Sequence, residues 1–370
     1  MLETLSLSFG QIHFAGADLG DERLSRRLPQ LVDAIVAHPA GSLPDKLPKG
    51  GDCEAFYRLC DAKRVTHEAL LAVHRARTLQ ILQETRKFLL VVHDGTEFDF
   101  TRHRSLTELG QIGNGGGRGF VAHNSLVVDP QEGGVLGLAG QILHTRHQVP
   151  PNESMTDKRA RESRESRLWL QGTEGLPSSR YVVDVCDRLA DTFEFLEHES
   201  QSGRTFVIRS ARDRKMLIGH ANPATTSSPL QDLHRYARTL PALATSEATA
   251  RVDECVLEER RKAQQQGSTK PIDGYRQASL KISAGPVMLM APRNRRGEHG
   301  KGPLSVWIVR VWEPDPPPGC EALEWFLLTN HRVKTAADAR RVKSWYEWRW
   351  VVEVVQAEYA SSARLYQRAA

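Results

Sequence analysis

Two short apolar runs, each closed by an acid, constrain what this chain can fold into more than any other feature. Phe88–Asp94 (FLLVVHD) and Arg180–Asp187 (RYVVDVCD) are continuous where a half-exposed strand would alternate. That texture predicts strands buried on both faces. Further strands are predicted at Phe120–Val128, Gly134–His144, Thr205–Ser210 and Leu323–Thr329. An acid ending such a strand is most often a turn former or a helix cap, so neither Asp94 nor Asp187 marks a site alone.

Ahead of the strands, residues 15 to 88 read as helical. Leu24, Leu28, Leu31, Ile35 and Val36 recur at helical spacing after Asp21 and Glu22, acids that suit a helix start, and His38-Pro39-Ala40-Gly41 stops the run. A second helix is predicted over Asp52–Cys60. A third begins near Thr66 and runs through Leu70, Leu71, Val73 and Leu79, with His74, Arg75, Arg77 and Arg86 on its other face. Three short helices with a basic side fit a DNA-binding unit of helix-turn-helix type. They fit a plain bundle with a solvated basic face too, and pattern alone favours the bundle.

Length and composition set outer bounds. The 370 residues have room for two or three domains, and 40% hydrophobic with 26% charged residues is ordinary globular composition. No apolar run approaches the roughly 18 residues of a membrane span, and the acid in Met1-Leu-Glu-Thr does not suit a signal peptide, so a cytosolic location is expected. Five scattered cysteines without a CxxC pair predict buried free thiols rather than disulfides or zinc. A net charge of +5 with pI near 9.0 permits nucleic-acid binding without requiring it.

The middle of the chain is mixed. Gly113–Gly119 is glycine-rich but matches no phosphate-loop pattern, so a turn is expected. Lys158–Leu170 reads as a charged helix and Arg188–Leu196 as another; Arg209, Arg212, Arg214 and Lys215 form a basic cluster. Residues 216–320 are the least regular, with a Pro/Ser segment at 222–229, a charged stretch at 254–266, and a predicted hairpin between 278–291 and 304–311 turning at 294–302. Glu313–Gly319 reads as a rigid linker. Thr335 and Asp338 form an N-cap pair for a final helix, on which Tyr346, Arg349 and Glu353 fall on one stripe. A phenol, a guanidinium and a carboxylate so placed are either a partly buried ion pair or one wall of an active site.

Asp94, Asp187 and Glu353 together suit a carboxylate cluster for divalent cations, which take oxygen ligands. The words around them resemble the insertion sequence 4 family of DDE transposases. They are Ala17–Leu24 with His38-Pro39 and Ser42-Leu43-Pro44, Asp94-Gly95-Thr96, Arg118-Gly119 with His123, Val185–Asp191, Phe206–Ser210, Trp325–Thr329 and Tyr346-x2-Arg349-x3-Glu353. The resemblance implies an α/β fold: a ribonuclease H-like mixed-sheet catalytic domain with a mostly β insertion, preceded by a small helical domain. The implied division is 1–87 for DNA binding, 88–215 and 321–370 for catalysis, and 216–320 for the insertion. It implies Asp94, Asp187 and Glu353 as ligands of two Mg²⁺ ions, replaceable by Mn²⁺, for strand cleavage and transfer. Tyr346, Arg349, Arg209 and Arg118 would meet DNA, and Trp325 would hold a flipped base. Double-stranded DNA at transposon ends and target, and a second copy in synapsis, are the implied partners.

Two departures stand against a full match. Ala357 and Ala360 occupy positions where the family carries lysines, which removes charge-assisted phosphate contacts. Val354–Ala370 no longer reads like the family, and an early end after Glu353 is expected, so the alternative is a defective remnant that binds DNA without completing transposition.

Overall fold

The computed structural model describes residues 7–147, 152–154, 157, 161, 163–218, 230–251, 257, 261–262, 274–292 and 303–354. Contacts divide the chain into two units, residues 1–177 with 350–370, and residues 178–349.

The first unit opens with helices α1 (Phe9–Phe14), α2 (Glu22–Ala37), α3 (Leu43–Lys46), α4 (Gly50–Asp61) and α5 (His67–Glu84). Their starts are written in the sequence: Asp21 accepts from the Arg23 amide, Ser42 and Asp45 form a capping box, and Thr66 accepts from the Ala69 amide. Leu19, Leu28, Leu31, Leu43, Leu47 and Leu59 form their shared core. Four strands follow: β1 (Leu89–Asp99), β2 (Gly110–Ile112), β3 (Gly117–Asp129) and β4 (Gly134–His144). All pairings are antiparallel, with β1 along one edge of β3 and β2 then β4 along the other.

The apolar run at β1 is buried as expected, but the strand does not end at Asp94. It continues to Asp99, paired as far as Asp99↔Gly119. Burial is complete from Leu89 to His93 and alternates from Asp94 onward, so one strand passes from a two-sided to a one-sided environment. The hydrophobic pattern ended there; the ladder did not. Gly113–Gly116 forms the turn expected of it, while Gly119 lies inside β3, where an added Cβ would sit 1.8 Å from the Phe98 carbonyl oxygen.

His74 and Arg75 do not lie on a solvated face. β4 carries two register shifts against β3, leaving Leu136 and Ala139 unpaired in its ladder. Arg75 donates Nε to the Ala139 carbonyl and Nη2 to that of Glu174, both at 2.8 Å, and the Leu138 amide donates to His74 Nε2 at 2.8 Å. Helix α5 thus satisfies backbone groups that the bulge released. Burial, then His13 and Arg77, lowers the His74 pKa to about 4, which keeps Nε2 an acceptor.

In the second unit β5 (Val182–Cys186) lies parallel to β6 (Thr205–Arg209), and the order continues antiparallel through β12 (Glu324–Thr329), β11 (Leu304–Trp312), β10 (Tyr275–Leu289), β7 (Lys215–Ile218) and β8 (Gln231–Asp232). β9 (Ala244–Arg251) shares the β7 edge of β10. The predicted β10/β11 hairpin is present; its turn, the Pro/Ser segment and nearly all of the charged stretch lie outside the described residues. Glu313–Gly319 is no interdomain linker but the connection that returns β11 to β12, with the Glu313 amide donating to the Leu323 carbonyl at 2.8 Å.

Short helices complete the chain: α6 (Leu168–Gly172) in the first unit, and α7 (Phe193–Gln201), α8 (Leu233–Thr239) and α9 (Ala336–Glu347) in the second. Of the charged helix expected over Lys158–Leu170, residues 158–160 and 162 lie outside the described residues, and Glu165–Arg167 forms a 3-10 turn that leads into α6. A single 3-10 turn, Arg188–Ala190, replaces the start of the expected helix after Asp187, and α7 begins only at its Thr192 cap. Of the four described cysteines, all free, Cys186 is buried but Cys60 is exposed, so the expectation of uniformly buried thiols does not hold. No helix among the described residues is long and apolar enough to cross a membrane.

Candidate functional site

The final helix begins as predicted, with Thr335 and Asp338 in a reciprocal capping box. It then stops early. Trp348 and Arg349 form a turn, the Arg349 amide donates to the Tyr346 carbonyl at 3.0 Å, and residues 350–354 are helical again. Tyr346, Arg349 and Glu353 therefore do not share the one continuous helix that their spacing predicted. Bulky Trp345 and Tyr346, both buried, anchor the helix up to this break.

Within the second unit, four separate stretches meet around Tyr346. Its hydroxyl is hydrogen-bonded to Arg209 at the end of β6, and its ring lies edge-on to Trp325 of β12 with centroids 5.6 Å apart. Burial raises the Tyr346 pKa against the pull of Arg209 and Arg349, so the phenol stays protonated. Asp187 follows β5, and its Oδ1 accepts from the Leu189 amide at 2.7 Å, capping the 3-10 turn. Burial raises its pKa too, opposed by the Leu189 amide and Arg349. A carboxyl held this way carries a desolvation cost that a neighbouring cation would relieve.

Beside this cluster lies a cavity of about 670 Å³ lined by Arg209, Arg276, Arg310, Trp312, Glu324 and Trp325 among others. Its cations are organised. Glu324 accepts from Arg238 and Arg310, Arg310 lies 4.2 Å over the Trp312 ring, and Arg276 is paired with Glu313. Guanidinium groups and indole faces in one hollow suit phosphate and unpaired bases. Nothing in the sequence pattern put Arg310 and Trp312 with Trp325; only the β11/β12 register, Val311↔Trp325, does so.

The basic cluster after β6 is dispersed. Arg214 is half-buried and paired with the buried Asp191 at 2.7 Å, Lys215 pairs with Asp232, and Arg209 lines the cavity. Asp191 accepts in addition from the Ala211 and Arg212 amides, so the second acid of the Val185–Asp191 word is the one that ties down this loop.

In the first unit, Asp94 lies on β1 with Oδ1 accepting from the Gly95 amide at 2.8 Å, opposite Asn124. The Arg118 guanidinium donates to the Leu106 carbonyl at 2.8 Å. Glu353 is exposed. Among the described residues no group of three or more His, Cys, Asp or Glu is placed to hold a metal ion.

Residues 8–65 match the family model described as transposase DNA-binding. The matched segment is α1 to α4 with the approach to α5. The chain thus carries a transposase DNA-binding domain at its helical front, which supports a transposase with DNA as its partner.

Proposed function

We propose that the chain is a DDE transposase with a ribonuclease H-like catalytic domain, akin to the insertion sequence 4 family, which cleaves DNA at transposon ends and joins the 3′ end to target DNA. The DNA-binding match over residues 8–65 supports the substrate. The observation that carries the chemistry is the setting of Asp187: a carboxyl whose pKa burial raises, beside Arg349 and the Tyr346–Arg209 pair.

Asp94, Asp187 and Glu353 would hold two Mg²⁺ ions, with Mn²⁺ able to substitute, because hard cations take carboxylate oxygens. When bound, the ions supply water activation and charge relief at the leaving oxygen. The chain's own residues do the rest. Arg209 and Arg349 pair with backbone phosphates, Tyr346 fixes the Arg209 fork, and Trp325 offers an indole face to an unstacked base. Arg118 contributes a further phosphate contact. Two copies would act together in synapsis.

The test is incubation of the purified chain with Mg²⁺ and DNA bearing the terminal repeats that flank its gene, beside Asp187→Ala. Specific nicking that vanishes in the variant is the expected result; nicking that persists sinks the assignment of Asp187. A second reading is a DNA-binding remnant without strand transfer, favoured by Ala357 and Ala360 at lysine positions. Specific retention of the repeat DNA with no nicking by the unaltered chain would establish it.

A further inference from the structure

Two guanidinium groups share one carboxylate on the β11/β12 surface of the second unit. Arg238, on α8, donates Nε and Nη2 to Glu324 Oε1 and Oε2 at 3.1 and 2.6 Å, and Arg310 of β11 donates Nε to the same Oε1 at 2.8 Å. Each guanidinium also lies over a ring. Arg310 is 4.2 Å above Trp312, and Arg238 is 5.1 Å above Phe326, whose ring is stacked with His234 at a centroid distance of 4.1 Å. The register explains why they meet: Arg310↔Phe326 and Trp312↔Glu324 are neighbouring cross-strand pairs, so these four side chains leave one face, while Trp325 between them leaves the other.

The two cations differ in how readily they could leave the acid. The Arg310 side chain is 14% exposed, that of Arg238 52%. Two guanidinium charges against one carboxylate leave a surplus of positive charge, whereas Arg146 and Arg204 show the reverse count, one guanidinium between two acids. If Arg238 lets go, Arg310 still neutralises Glu324, so no charge is stranded. An ion pair as exposed as that of Arg238 is weak, and a backbone phosphate offers the same fork two oxygens.

We infer that Arg238 is a DNA phosphate-binding residue, parked on Glu324 in the free protein, at a site separate from the Trp325–Tyr346 cluster. On binding, its fork turns from the two Glu324 oxygens to a backbone phosphate, and Arg310 keeps the carboxylate neutralised where it stands. This rests on DNA as the partner, supported by the match over residues 8–65, and not on cleavage. Phosphates carry no base identity, so the site serves any sequence.

The experiment is fluorescence anisotropy of the full chain on two labelled duplexes, one bearing the terminal repeats and one of scrambled sequence, each over a salt series, with thermal unfolding of every variant as the check on the fold. Arg238→Met should weaken both duplexes about tenfold and lower the slope of log affinity against log salt by about one. Arg310→Met, which leaves Arg238 as the partner that must stay with Glu324, should weaken binding too. Adding Glu324→Gln should rescue Arg310→Met and fail to rescue Arg238→Met. Alone, Glu324→Gln should bind more tightly than Glu321→Gln, an equal loss of charge at an exposed acid lining the same cavity. Unchanged affinity and slope in Arg238→Met overturns the site; because Arg238 is half-exposed, that variant decides even where Arg310→Met unfolds. Glu324→Gln no tighter than Glu321→Gln, or no rescue of a folded Arg310→Met, overturns the exchange. No binding of either duplex by the unaltered chain overturns DNA as the partner, and the site with it.

Discussion

Asp184 and Asp187 stand three residues apart at the same end of the chain's central sequence word, and they show two ways to keep a carboxylate away from water. Asp184, inside β5, is fully buried and lies 2.6 Å from Arg204, which also reaches Glu199 at 2.9 Å. Two acids and one guanidinium leave an excess of negative charge, and burial followed by the Asp184 charge pushes the Glu199 pKa well up, toward its neutral form. That cluster balances itself internally. Asp187 has backbone amides and Arg349 nearby, yet burial still raises its pKa. The difference separates a carboxylate paired with a buried guanidinium from one whose neighbours leave the cost of its burial only partly offset.

The largest expected effect falls on the second of these. Asp187→Ala should lower end cleavage by at least about a thousandfold, on the order of 4 kcal/mol in the barrier, while Asp187→Asn, which still caps the turn, should lose cleavage equally and melt slightly higher than the unaltered chain. Comparable cleavage in all three would erase the distinction between the two acids.

Arg204→Met tests the other side. Removing one partner of a buried charge cluster costs about 3–5 kcal/mol, which denaturant unfolding would read as a large fall in the midpoint. A loss under about 1 kcal/mol would mean that the cluster is no more than packing.

Glu199 gives the pH dependence. Its folded pKa lies above the unfolded value of 4.5, so its contribution to stability is present below pH 4.5 and is lost as pH rises toward the folded pKa. Glu199→Gln should flatten that decline in a stability-versus-pH series measured by unfolding. His74 has the opposite sign: its folded pKa of about 4 lies below the model value of 6.5, so it stabilises above pH 6.5 and that benefit fades as pH falls toward 4. The smallest effect belongs to Tyr346→Phe, which removes the hydroxyl held by Arg209 and should cost about 1 kcal/mol in stability or in binding of repeat DNA by gel shift, with no effect on either showing that Arg209 needs no such anchor.

Periodicity and capping made the outline legible. The apolar runs gave β1, β5, β6 and β12, and the Thr335–Asp338 pair gave the start of α9 to the residue. The local words led to Asp187, Arg209, Trp325, Tyr346 and Arg349, which do gather. What was not legible depended on long-range register. The break at Trp348–Arg349 carries no glycine or proline to announce it. The β4 partners of His74 and Arg75 lie where β4 bulges, and Arg214 reads as free surface charge until its pairing with Asp191 is seen.

The bulges in β4 have a consequence for how this strand can vary in length. Side chains on a strand alternate, so one inserted or deleted residue turns everything beyond it to the other face. At a bulge that rule is suspended: the two irregularities, between Ser125/Leu126 and Val127/Val128 of the partner strand, each place one extra residue in β4, so that Leu138 and Gly140, and Val135 and Gly137, face opposite sides although two positions apart. Single-residue changes at these two points are therefore absorbed, whereas elsewhere in the strand they are not. Deleting Ala139 would bring Leu138 and Gly140 into plain alternation and leave both arms on their faces, its cost being the loss of the carbonyl that Arg75 serves.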